Sequence, residues 1–418
     1  MSTSLNRSGV GFSPGRVPRA SYVTVVGISI AALWLSSGCQ PRARPGIHKA
    51  PATGPIRAIW VTRWDYKSPS DIAVIMENCK AAGFNTVLFQ VRGNGTAFYR
   101  SKIEPWADEL GGRDPGFDPL KVACEEAHRR GLGLHAWVNV MPGWRGKKPP
   151  ANPRQLYHAH PDWFWHDASG RREPLGWYNS LNPCYPEVRS YIVAVLREIV
   201  TRYPVDGLHM DYIRFPNEWN SAYGPTRRVP DYPRDPRTVE LFRRATGHRP
   251  SSAPGLWSGW RTEQVNRLVR NVRSMVRKVR PQVALSAAVG ASPDEAKREH
   301  FQDARRWINE GLLDLVFPMN YTSDTQAFTK TLSTWSDVRR RVPVVVGIMF
   351  DKRDGKTVIA QIRGSLRNTP HFAAFAYNSL FERLDRRGRP APDAQSADRT
   401  RLRESAIPFL RRLAFRSS

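Results

Sequence analysis

The sequence is poor in cysteine and has no apolar segment long enough to be a convincing membrane span. Its 418 residues contain four cysteines. One of them, Cys39, belongs to the amino-terminal segment described below, and the other three are an odd number without metal-ligand spacing. A disulfide framework is therefore not expected. Cys79 and Cys124 lie in apolar helical patterns, which favours small core residues over a disulfide bridge.

Motifs for phosphate and metal binding are also missing. No glycine-rich loop follows a predicted strand, and no histidine pair has the spacing of a metal site. We therefore expect no cofactor and no metal ion. Acidic residues are a minority, 37 against 64 lysines and arginines, and the formal net charge is +27. Such a charge favours an anionic partner, namely an envelope polymer, phospholipid head groups or nucleic acid. The alternative is that many arginines lie on solvated helix faces.

The first 38 residues have the order of a secretion signal. Three arginines without any acidic residue precede a short apolar run from Tyr22 to Leu35, and the small residues SSG follow. The run is shorter than the roughly 20 residues that a membrane-spanning helix needs. We therefore predict a signal peptide over residues 1–38.

Cys39 directly follows these small residues, as in the processing site of a bacterial lipoprotein, although Ser36 stands where leucine is usual. We predict lipidation at Cys39, a proline-rich tether over residues 39–55, and a membrane-anchored lipoprotein of the cell envelope that faces the periplasm or the cell exterior. A plain signal peptide and an uncleaved anchor are the alternatives. Loss of the three arginines would lower the formal charge from +27 to +24. Export argues against nucleic acid as a partner.

Apolar strand-like segments alternate with helical patterns from residue 56 onward. The predicted strands are 56–64, 85–93, 134–141, 205–216, 283–290, 314–321, 342–350 and 371–380. The helical patterns between them include 68–83 with a cap at Ser70, 118–131, 186–203, 262–280, 326–340 and 356–367. Eight such units use nearly the whole chain, which favours a (β/α)8 TIM barrel over 56–418 rather than a doubly wound sheet.

The fourth strand, VDGLHMDYIRFP, alternates in polarity along residues 205–216. One face carries Leu208, Met210 and Tyr212, and the other carries Gly207, His209 and Asp211. In a barrel the first face would meet the helices and the second would line the interior near the mouth. Pro216 is expected to end the strand. The alternative for Asp211 is a surface position on an edge strand.

Two long segments, 142–185 and 217–261, follow the carboxyl ends of the third and fourth strands, where barrel active sites are built. Aromatic rings in such loops suit a sugar, whose C–H faces are apolar. The alternative is that they form small cores under the loops. These residues are Trp144, Trp163, Trp165, Trp177, Tyr178, Trp219, Tyr223, Trp257 and Trp260.

Several ordered motifs together resemble the glycosyl hydrolase-like 10 family of bacterial envelope proteins. They include RAIWVTRWDY, FQVRGNGTAFYRSKIEPWADELGG, LNPCYPEVRSYI, DGLHMDYIRFP and DLVFPMNY, and they span roughly residues 56–385. The resemblance implies a TIM barrel and a glycoside hydrolase, and some relatives act on peptidoglycan glycan strands without stem peptides. It marks Asp211 as the catalytic carboxylate. Many relatives have two adjacent acids there, whereas Tyr212 follows Asp211 here.

Glycosidic cleavage usually needs a second carboxyl group. Asp65, Glu218, Asp324 and Asp351 follow strand ends and are candidates for this group. We rank Asp65 and Asp324 ahead of the other two. Asp206 and Asp314 begin strands and are interpreted as structural. Other polar residues at strand ends are predicted to bind sugar or orient Asp211. They are Arg63, Gln90, Arg92, His135, Asn139, His209, Asn320, Tyr321 and Asn378.

The expected function is an exported, lipid-anchored glycoside hydrolase that cleaves an envelope polysaccharide, foremost peptidoglycan strands without stem peptides. Arg63 and Arg92 are candidates to pair with the muramic carboxylate that peptide removal frees. A polysaccharide-binding barrel without catalysis and a hydrolase of another extracellular polysaccharide are the alternatives. A catalytic barrel needs a carboxyl group within reach of Asp211, and a binding barrel does not.

Overall fold

The structure, a computed structural model, describes residues 54–216, 233–385 and 389–415. All of them belong to the second of the two units of the chain, residues 47–418. The predicted signal peptide, Cys39 and most of the predicted tether lie outside the described residues. In the part that is described, no helix is both long and apolar enough to cross a membrane.

Eight parallel strands close into a barrel, which confirms the predicted (β/α)8 fold. Each strand pairs with its neighbours along the chain, and the eighth pairs with the first. The strands are β1 (Arg57–Val61), β2 (Thr86–Arg92), β3 (Gly133–Asn139), β4 (Gly207–Asp211), β5 (Ala284–Gly290), β6 (Leu315–Asn320), β7 (Val346–Met349) and β8 (Phe372–Phe375).

Helices surround the barrel and connect consecutive strands. They include Pro69–Ala81, Pro119–Arg129, Pro186–Arg202, Pro236–Thr246, Pro254–Val279, Pro293–His300, Ala304–Asn309, Thr325–Ser333, Gly355–Leu366 and Ser396–Phe415. The first begins after Ser68, whose hydroxyl accepts the N–H of Asp71 at 3.2 Å, so its cap lies two residues before the predicted Ser70. Asp71 accepts the Ser68 N–H in return at 2.9 Å.

The predicted long segments after β3 and β4 contain their own secondary structure. In the first, short strands Pro142–Arg145 and Tyr178–Ser180 pair antiparallel, and we call them the loop hairpin. In the second, residues 217–232 lie outside the described part. The helix predicted from residue 262 already begins at Pro254 and includes Trp257 and Trp260.

The alternation predicted for β4 is correct as far as Asp211. Leu208 and Met210 belong to the core between strands and helices, whereas His209 contacts Trp60 and Phe317 inside the barrel. The strand ends at Asp211 and not near Pro216. Tyr212 has a left-handed backbone with φ of 49°, an uncommon conformation for a residue with a side chain. Its ring therefore leaves the predicted outer face and lies 4.9 Å from that of Tyr178.

Asp206 and Asp314 join neighbouring strands at the amino end of the barrel. Oδ2 of Asp206 accepts the backbone N–H of Leu134 at 2.8 Å, and Oδ2 of Asp314 accepts that of Leu285 at the same distance. Each carboxylate also has a basic partner on a helix, His128 for Asp206 and Arg273 for Asp314. Both positions fit the predicted structural role.

The three cysteines of the described chain, Cys79, Cys124 and Cys184, are free thiols buried in the core. This arrangement agrees with small core residues rather than a disulfide bridge. Burial raises the pKa of all three thiols, which keeps them protonated and unreactive at neutral pH.

Candidate active site

Asp211 lies at the carboxyl end of β4 with donors at both carboxylate oxygens. Oδ2 accepts the indole N–H of Trp137 at 3.2 Å, and Oδ1 accepts the backbone N–H of Tyr212 at 2.7 Å. The guanidinium of Arg214 is 3.6 Å from Oδ1. Each of these groups stabilises a negative charge on the carboxylate. The N–H that orients the side chain is that of the next residue in the chain, so the end of the strand itself helps to hold the carboxylate.

A hydrogen-bond network at the ends of β1, β2 and β3 adjoins Asp211. Asn139 pairs with Asp211 in strand register. Gln90 donates to Asn139 Oδ1 at 3.2 Å and accepts the backbone N–H of Arg63 at 3.1 Å. The Tyr178 hydroxyl accepts from Arg63 Nη1 and from Asn139 Nδ2, both at 3.2 Å. The structure thus brings together the predicted residues Arg63, Gln90, Asn139 and Asp211.

Tyr321 follows β6, and its hydroxyl is shielded from solvent and has no hydrogen-bond partner in the part of the chain that the structure describes. Burial raises the pKa of this phenol well above its usual value, and the negative charge of Asp211 raises it further. The hydroxyl is therefore a neutral donor within electrostatic range of Asp211. Because the hydroxyl is shielded, a sugar oxygen could reach it only after a local movement, and the binding role of Tyr321 stays a prediction.

Two predicted sugar-binding arginines already have carboxylate partners. Nε of Arg63 is 2.8 Å from Glu109. Arg92 is buried, its Nη2 lies 2.7 Å from the buried Glu104, and its Nη1 donates to the carbonyls of Asn139, Val140 and Pro142. Arg92 is 2% exposed, and each of its three side-chain nitrogens has a partner within the described residues. The position of Arg92 therefore does not suit sugar binding. Its guanidinium instead stabilises the backbone directly after β3 through hydrogen bonds to carbonyl groups.

The two predicted histidines lie inside the barrel, below the mouth. His209 Nε2 accepts the indole N–H of Trp60 at 3.2 Å, so its Nδ1 carries the proton and donates to Ser286 at 2.9 Å. Burial lowers the pKa of His209 well below its usual value and that of His135 to about 4. His135 pairs in register with Gly207, at the amino end of β4. Both rings are neutral interior groups, and neither faces the mouth.

Asp65, predicted as the partner of Asp211, closes a tight turn after β1. Its Oδ2 accepts the N–H of Thr62 at 2.7 Å and the hydroxyl of Thr62 at 2.9 Å. Its Oδ1 is shielded from solvent and has no hydrogen-bond partner among the described residues. Burial raises the pKa of the carboxyl to about 6, although the hydrogen bonds from Thr62 and the positive charge of Arg383 act in the opposite direction. This geometry favours a structural role for Asp65.

Three further predicted residues lie away from the network around Asp211. Asp324 is an exposed helix cap whose Oδ1 accepts the N–H groups of Gln326 and Ala327. Asn320 faces outward from β6, because Leu315 and Phe317 occupy the inner face, and it donates to the Phe328 carbonyl at 3.0 Å. Asn378 is half-buried in the short helix after β8.

Of the two lower-ranked carboxylates, Glu218 lies outside the described residues. Asp351 follows β7 and lines a cavity of about 400 Å³ together with Lys352, Ser379 and Arg399. This cavity lies beside the ends of β7 and β8, where it also adjoins the carboxyl-terminal helix Ser396–Phe415.

Stacked arginine and aromatic side chains cover the loop-hairpin side of the mouth. The Arg145 guanidinium carbon lies 5.4 Å from the ring centre of Trp64, 4.8 Å from that of Trp177 and 5.8 Å from that of Tyr178. Trp177 is 43% exposed. By contrast, Trp165 packs on Phe215, and Trp257 stacks on Trp260. The alternative of small cores under the loops is therefore correct for Trp165, Trp257 and Trp260, and Trp177 is an open ring.

The sequence interpretation missed several residues of this site, namely Trp137, Glu109, Arg145, Arg214 and Trp64. For Trp137 a signal was available, because it lies two residues before Asn139 and so on the same face of β3. The others lie in loops or beyond strand ends, where periodicity gives no direction. In the ranges that the structure describes, no three His, Cys, Asp or Glu side chains could hold a metal ion.

Sequence comparison finds glycosyl hydrolases among the relatives of this chain. It is 29% identical over 368 residues to glycosyl hydrolase DigH of Escherichia coli (strain K12), covering 74% of this chain and 77% of the relative. It is 26% identical over 339 residues to glycosyl hydrolase YngK of Bacillus subtilis (strain 168), covering 72% of this chain and 61% of YngK. This chain thus spans less than two thirds of YngK.

Structure comparison supports the same barrel architecture. The catalytic domain of β-amylase from Paenibacillus polymyxa superposes with a TM-score of 0.57 at 11% identity, covering 84% of this chain and 98% of that domain. At this identity the likeness concerns the fold alone. The model of the glycosyl hydrolase-like 10 family matches residues 55–358, which is most of the chain. The protein therefore belongs to the glycosyl hydrolase-like 10 family, and the prediction of a glycoside hydrolase is confirmed.

Proposed function

We propose that this glycoside hydrolase is exported, anchored by a lipid at Cys39, and cleaves peptidoglycan glycan strands that have lost their stem peptides. The observation that carries the proposal is the position of Asp211. It is a carboxylate at the carboxyl end of a barrel strand, held by Trp137 and Arg214 beside an arginine-rich and aromatic mouth. Barrel enzymes perform their chemistry at this end.

Asp211 supplies the ionised carboxylate of a two-carboxylate mechanism, as nucleophile or as base. Its two N–H donors and the nearby guanidinium stabilise the charge that this role needs. Oxocarbenium-like charge on the sugar would then develop beside a fixed negative group.

Glu109 is the described carboxylate that we propose as its partner. A chain of contacts leads from Asp211 to its register neighbour Asn139, then through the Tyr178 hydroxyl to Arg63, which binds Glu109. The Glu109 side chain is 23% exposed, whereas Asp65 is shielded and Asp324 caps a helix. A partly exposed carboxyl group can meet a glycosidic oxygen or a water molecule, which a shielded one cannot do without movement.

Charge and location support a polyanionic envelope substrate. The full chain has a formal charge of +27, and the mouth carries Arg63, Arg145 and Arg214. A glycan strand becomes anionic when amide-linked peptides are removed, because each removal frees a muramic carboxylate. The sequence features of residues 1–39 support export and a lipid anchor, which would bring the enzyme next to this polymer.

The decisive test compares amidase-treated with untreated peptidoglycan as substrates for the wild-type protein and for Asp211→Asn. We expect peptide-free oligosaccharides, identified by mass spectrometry, from the treated substrate with the wild-type protein only. Equal release from both substrates would contradict the specificity for peptide-free strands. Retained binding without release from either would instead favour a polysaccharide-binding barrel.

The same assay identifies the second carboxylate. Glu109→Gln and Asp65→Asn are a matched pair, because both remove a charge and keep the side-chain shape. We expect a loss of at least about a hundredfold in kcat for Glu109→Gln, within the usual range for removal of an acid or base, and a change below about threefold for Asp65→Asn. The opposite pattern would return the role to Asp65. An inactive Glu218→Gln beside an active Glu109→Gln would assign it to Glu218.

A further inference from the structure

Arg145 differs from the other arginines at the mouth because no described side chain is a counter-ion for its charge. Arg63 faces Glu109, Arg92 faces Glu104, and Arg214 faces Asp211. Within residues 54–216, 233–385 and 389–415, Arg145 makes neither a hydrogen bond nor an ion pair through its side chain, and its Nε is shielded from solvent. A shielded donor without an acceptor is unfavourable, and a ligand that supplies an acceptor would relieve this cost.

Three aromatic rings surround the guanidinium of Arg145. Rings of Trp64, Trp177 and Tyr178 lie within 4.8–5.8 Å of its central carbon. The residue ends one strand of the loop hairpin and pairs in register with Tyr178. Aromatic contacts on a guanidinium restrain its position while leaving the N–H donors at its edge available. The side chain is therefore oriented before any ligand arrives.

The edge of a guanidinium matches one type of ligand especially well. Because Nε of Arg145 is shielded, the half-buried side chain presents its two terminal Nη groups, which can donate two parallel hydrogen bonds to the two oxygens of a carboxylate. The exposed Trp177 ring beside it offers an apolar surface for the C–H face of a sugar. The combination of a free fork and an open ring fits a sugar that carries a carboxylate.

Contacts also connect this position to the site around Asp211. The ring of Tyr178 is one of the three that surround Arg145. The hydroxyl of Tyr178 accepts a hydrogen bond from Asn139, which pairs in strand register with Asp211. A glycan bound across Asp211 would therefore extend one of its neighbouring sugars toward the loop hairpin.

We infer that Arg145, Trp177 and Trp64 form a subsite for a carboxylate-bearing sugar unit of the glycan. This inference rests on the proposed function, because a glycan in the mouth is its ligand. Arg145 would form an ion pair with the carboxylate, and the Trp177 ring would pack against the C–H face of the sugar. The carboxylate could belong to a lactyl ether or to a uronic acid, and the two sources differ in how far the carboxylate stands from the ring.

Binding to the catalytically disabled Asp211→Asn chain tests the subsite without turnover. Calorimetry would compare peptide-free glycan strands with the same strands after their carboxylates are converted to amides. In this background we expect Arg145→Gln to weaken binding of the carboxylate form by about 10- to 100-fold, as for a charge-assisted hydrogen bond, and to leave the amide form nearly unchanged. The affinity of Arg145→Lys for the carboxylate form should lie between those of the other two proteins, because lysine keeps the charge but cannot donate two parallel hydrogen bonds.

Two controls make the result specific. Arg172→Gln alters another half-buried arginine of the same loop, which lies 3.6 Å from the ring centre of Tyr157 but donates to a carbonyl, and it should not change discrimination. Trp177→Ala should weaken both glycan forms equally, since it removes the ring and not the charge. A polyuronate in place of the peptide-free strand distinguishes the two carboxylate sources.

Equal losses for carboxylate and amide forms, or no loss with Arg145→Gln, would overturn the inference. The outcome is separable from that of the proposed function. Discrimination by Arg145 without any cleavage by the wild-type chain would contradict the hydrolase function on this substrate and leave the subsite standing. Cleavage of peptide-free strands, without a difference between carboxylate and amide forms in Arg145→Gln, would support the hydrolase function and contradict the subsite.

Discussion

The indole N–H of Trp137 donates a hydrogen bond to Oδ2 of Asp211 across the boundary between β3 and β4. In strand register Trp137 pairs with His209, one layer below Asp211, so the indole reaches toward the mouth to meet the carboxylate. Both residues lie on barrel strands and are 4–5% exposed. The proposed catalytic carboxylate is therefore positioned by the barrel, and the loops are free to shape the substrate cleft around it.

Trp137→Phe should lower kcat by about 10- to 100-fold, because a hydrogen bond to a charged group contributes about 1.5–3 kcal/mol. Phenylalanine keeps most of the ring packing and removes the donor. The matched control is Trp60→Phe, which removes an indole N–H that bonds His209 inside the barrel. We expect it to reduce the melting temperature while kcat stays near wild type. Steady-state kinetics of both variants would contradict the positioning role if the two values of kcat were alike.

The barrel and the orientation of β4 could be predicted from the sequence, and the neighbours of Asp211 only in part. Period-two alternation places Gly207, His209 and Asp211 inside, but it fails at Tyr212, where a left-handed backbone turns the chain. His135 and Asn139 were both predicted to bind sugar, although they lie at opposite ends of β3. Position along the predicted strand 134–141 would have separated them, as it did for Asp206 and Asp314.

The ion-pair partners of the arginines at the mouth could not be predicted from the sequence. Arg63 and Arg92 stand at strand ends, but their partners Glu109 and Glu104 come from the loop after β2, and only the folded loop brings each pair together. Asp324 and Asp65 illustrate the same limit. Each follows a strand, yet local hydrogen bonds to a helix end or to Thr62 occupy their oxygens. Short-range backbone contacts of this kind compete with any role in a cleft.

Asp65→Asn should remove the decrease in unfolding free energy that ionisation of Asp65 causes as pH rises. The native pKa of Asp65 is raised to about 6 by burial, whereas an unfolded aspartate has a pKa of about 3.9. Between these values the native chain holds a proton that the unfolded chain has released, so this group lowers stability as pH rises from about 4 to about 6. Asparagine keeps an acceptor for Thr62 and cannot ionise.

We therefore expect the difference in unfolding free energy between Asp65→Asn and wild type to grow in favour of the variant, by up to about 3 kcal/mol from pH 4 to pH 7. Comparing the two proteins by denaturant unfolding cancels other titrations. One of these is His135, whose lowered pKa of about 4 acts in the opposite direction. A difference that is constant with pH would show that Asp65 is not held protonated by burial.

Gly207→Ala should destabilise the barrel through a single contact. A Cβ at Gly207 would lie 2.3–2.5 Å from ring atoms of His135, well inside contact distance. Overpacking of this kind typically costs about 1–3 kcal/mol. Combining it with His135→Ala removes the clash, so the two effects should be non-additive by about 1 kcal/mol or more. Denaturant unfolding of the two single variants and the double variant measures this coupling, and simple additivity would refute the contact.

Cys39→Ala should release the protein from membranes into the soluble fraction, because the proposed anchor depends on acyl chains attached at this residue. One acyl chain gives only marginal membrane binding, so stable anchoring relies on the several chains of a processed lipoprotein. Cell fractionation with immunoblotting would measure the distribution, and mass spectrometry would identify the mature amino terminus.

Cys184→Ala is the matched control, since Cys184 is a buried thiol of the barrel core and its loss should leave the protein in the membrane fraction. The barrel itself should be unaffected by Cys39→Ala, so the melting temperature and activity on peptide-free strands in solution should equal those of the wild type. Membrane association that persists in Cys39→Ala, or a mature chain that begins at another residue, would be incompatible with lipidation at Cys39. It would leave the uncleaved amino-terminal segment as the anchor, and the reach of the enzyme into the cell wall would then depend on that segment.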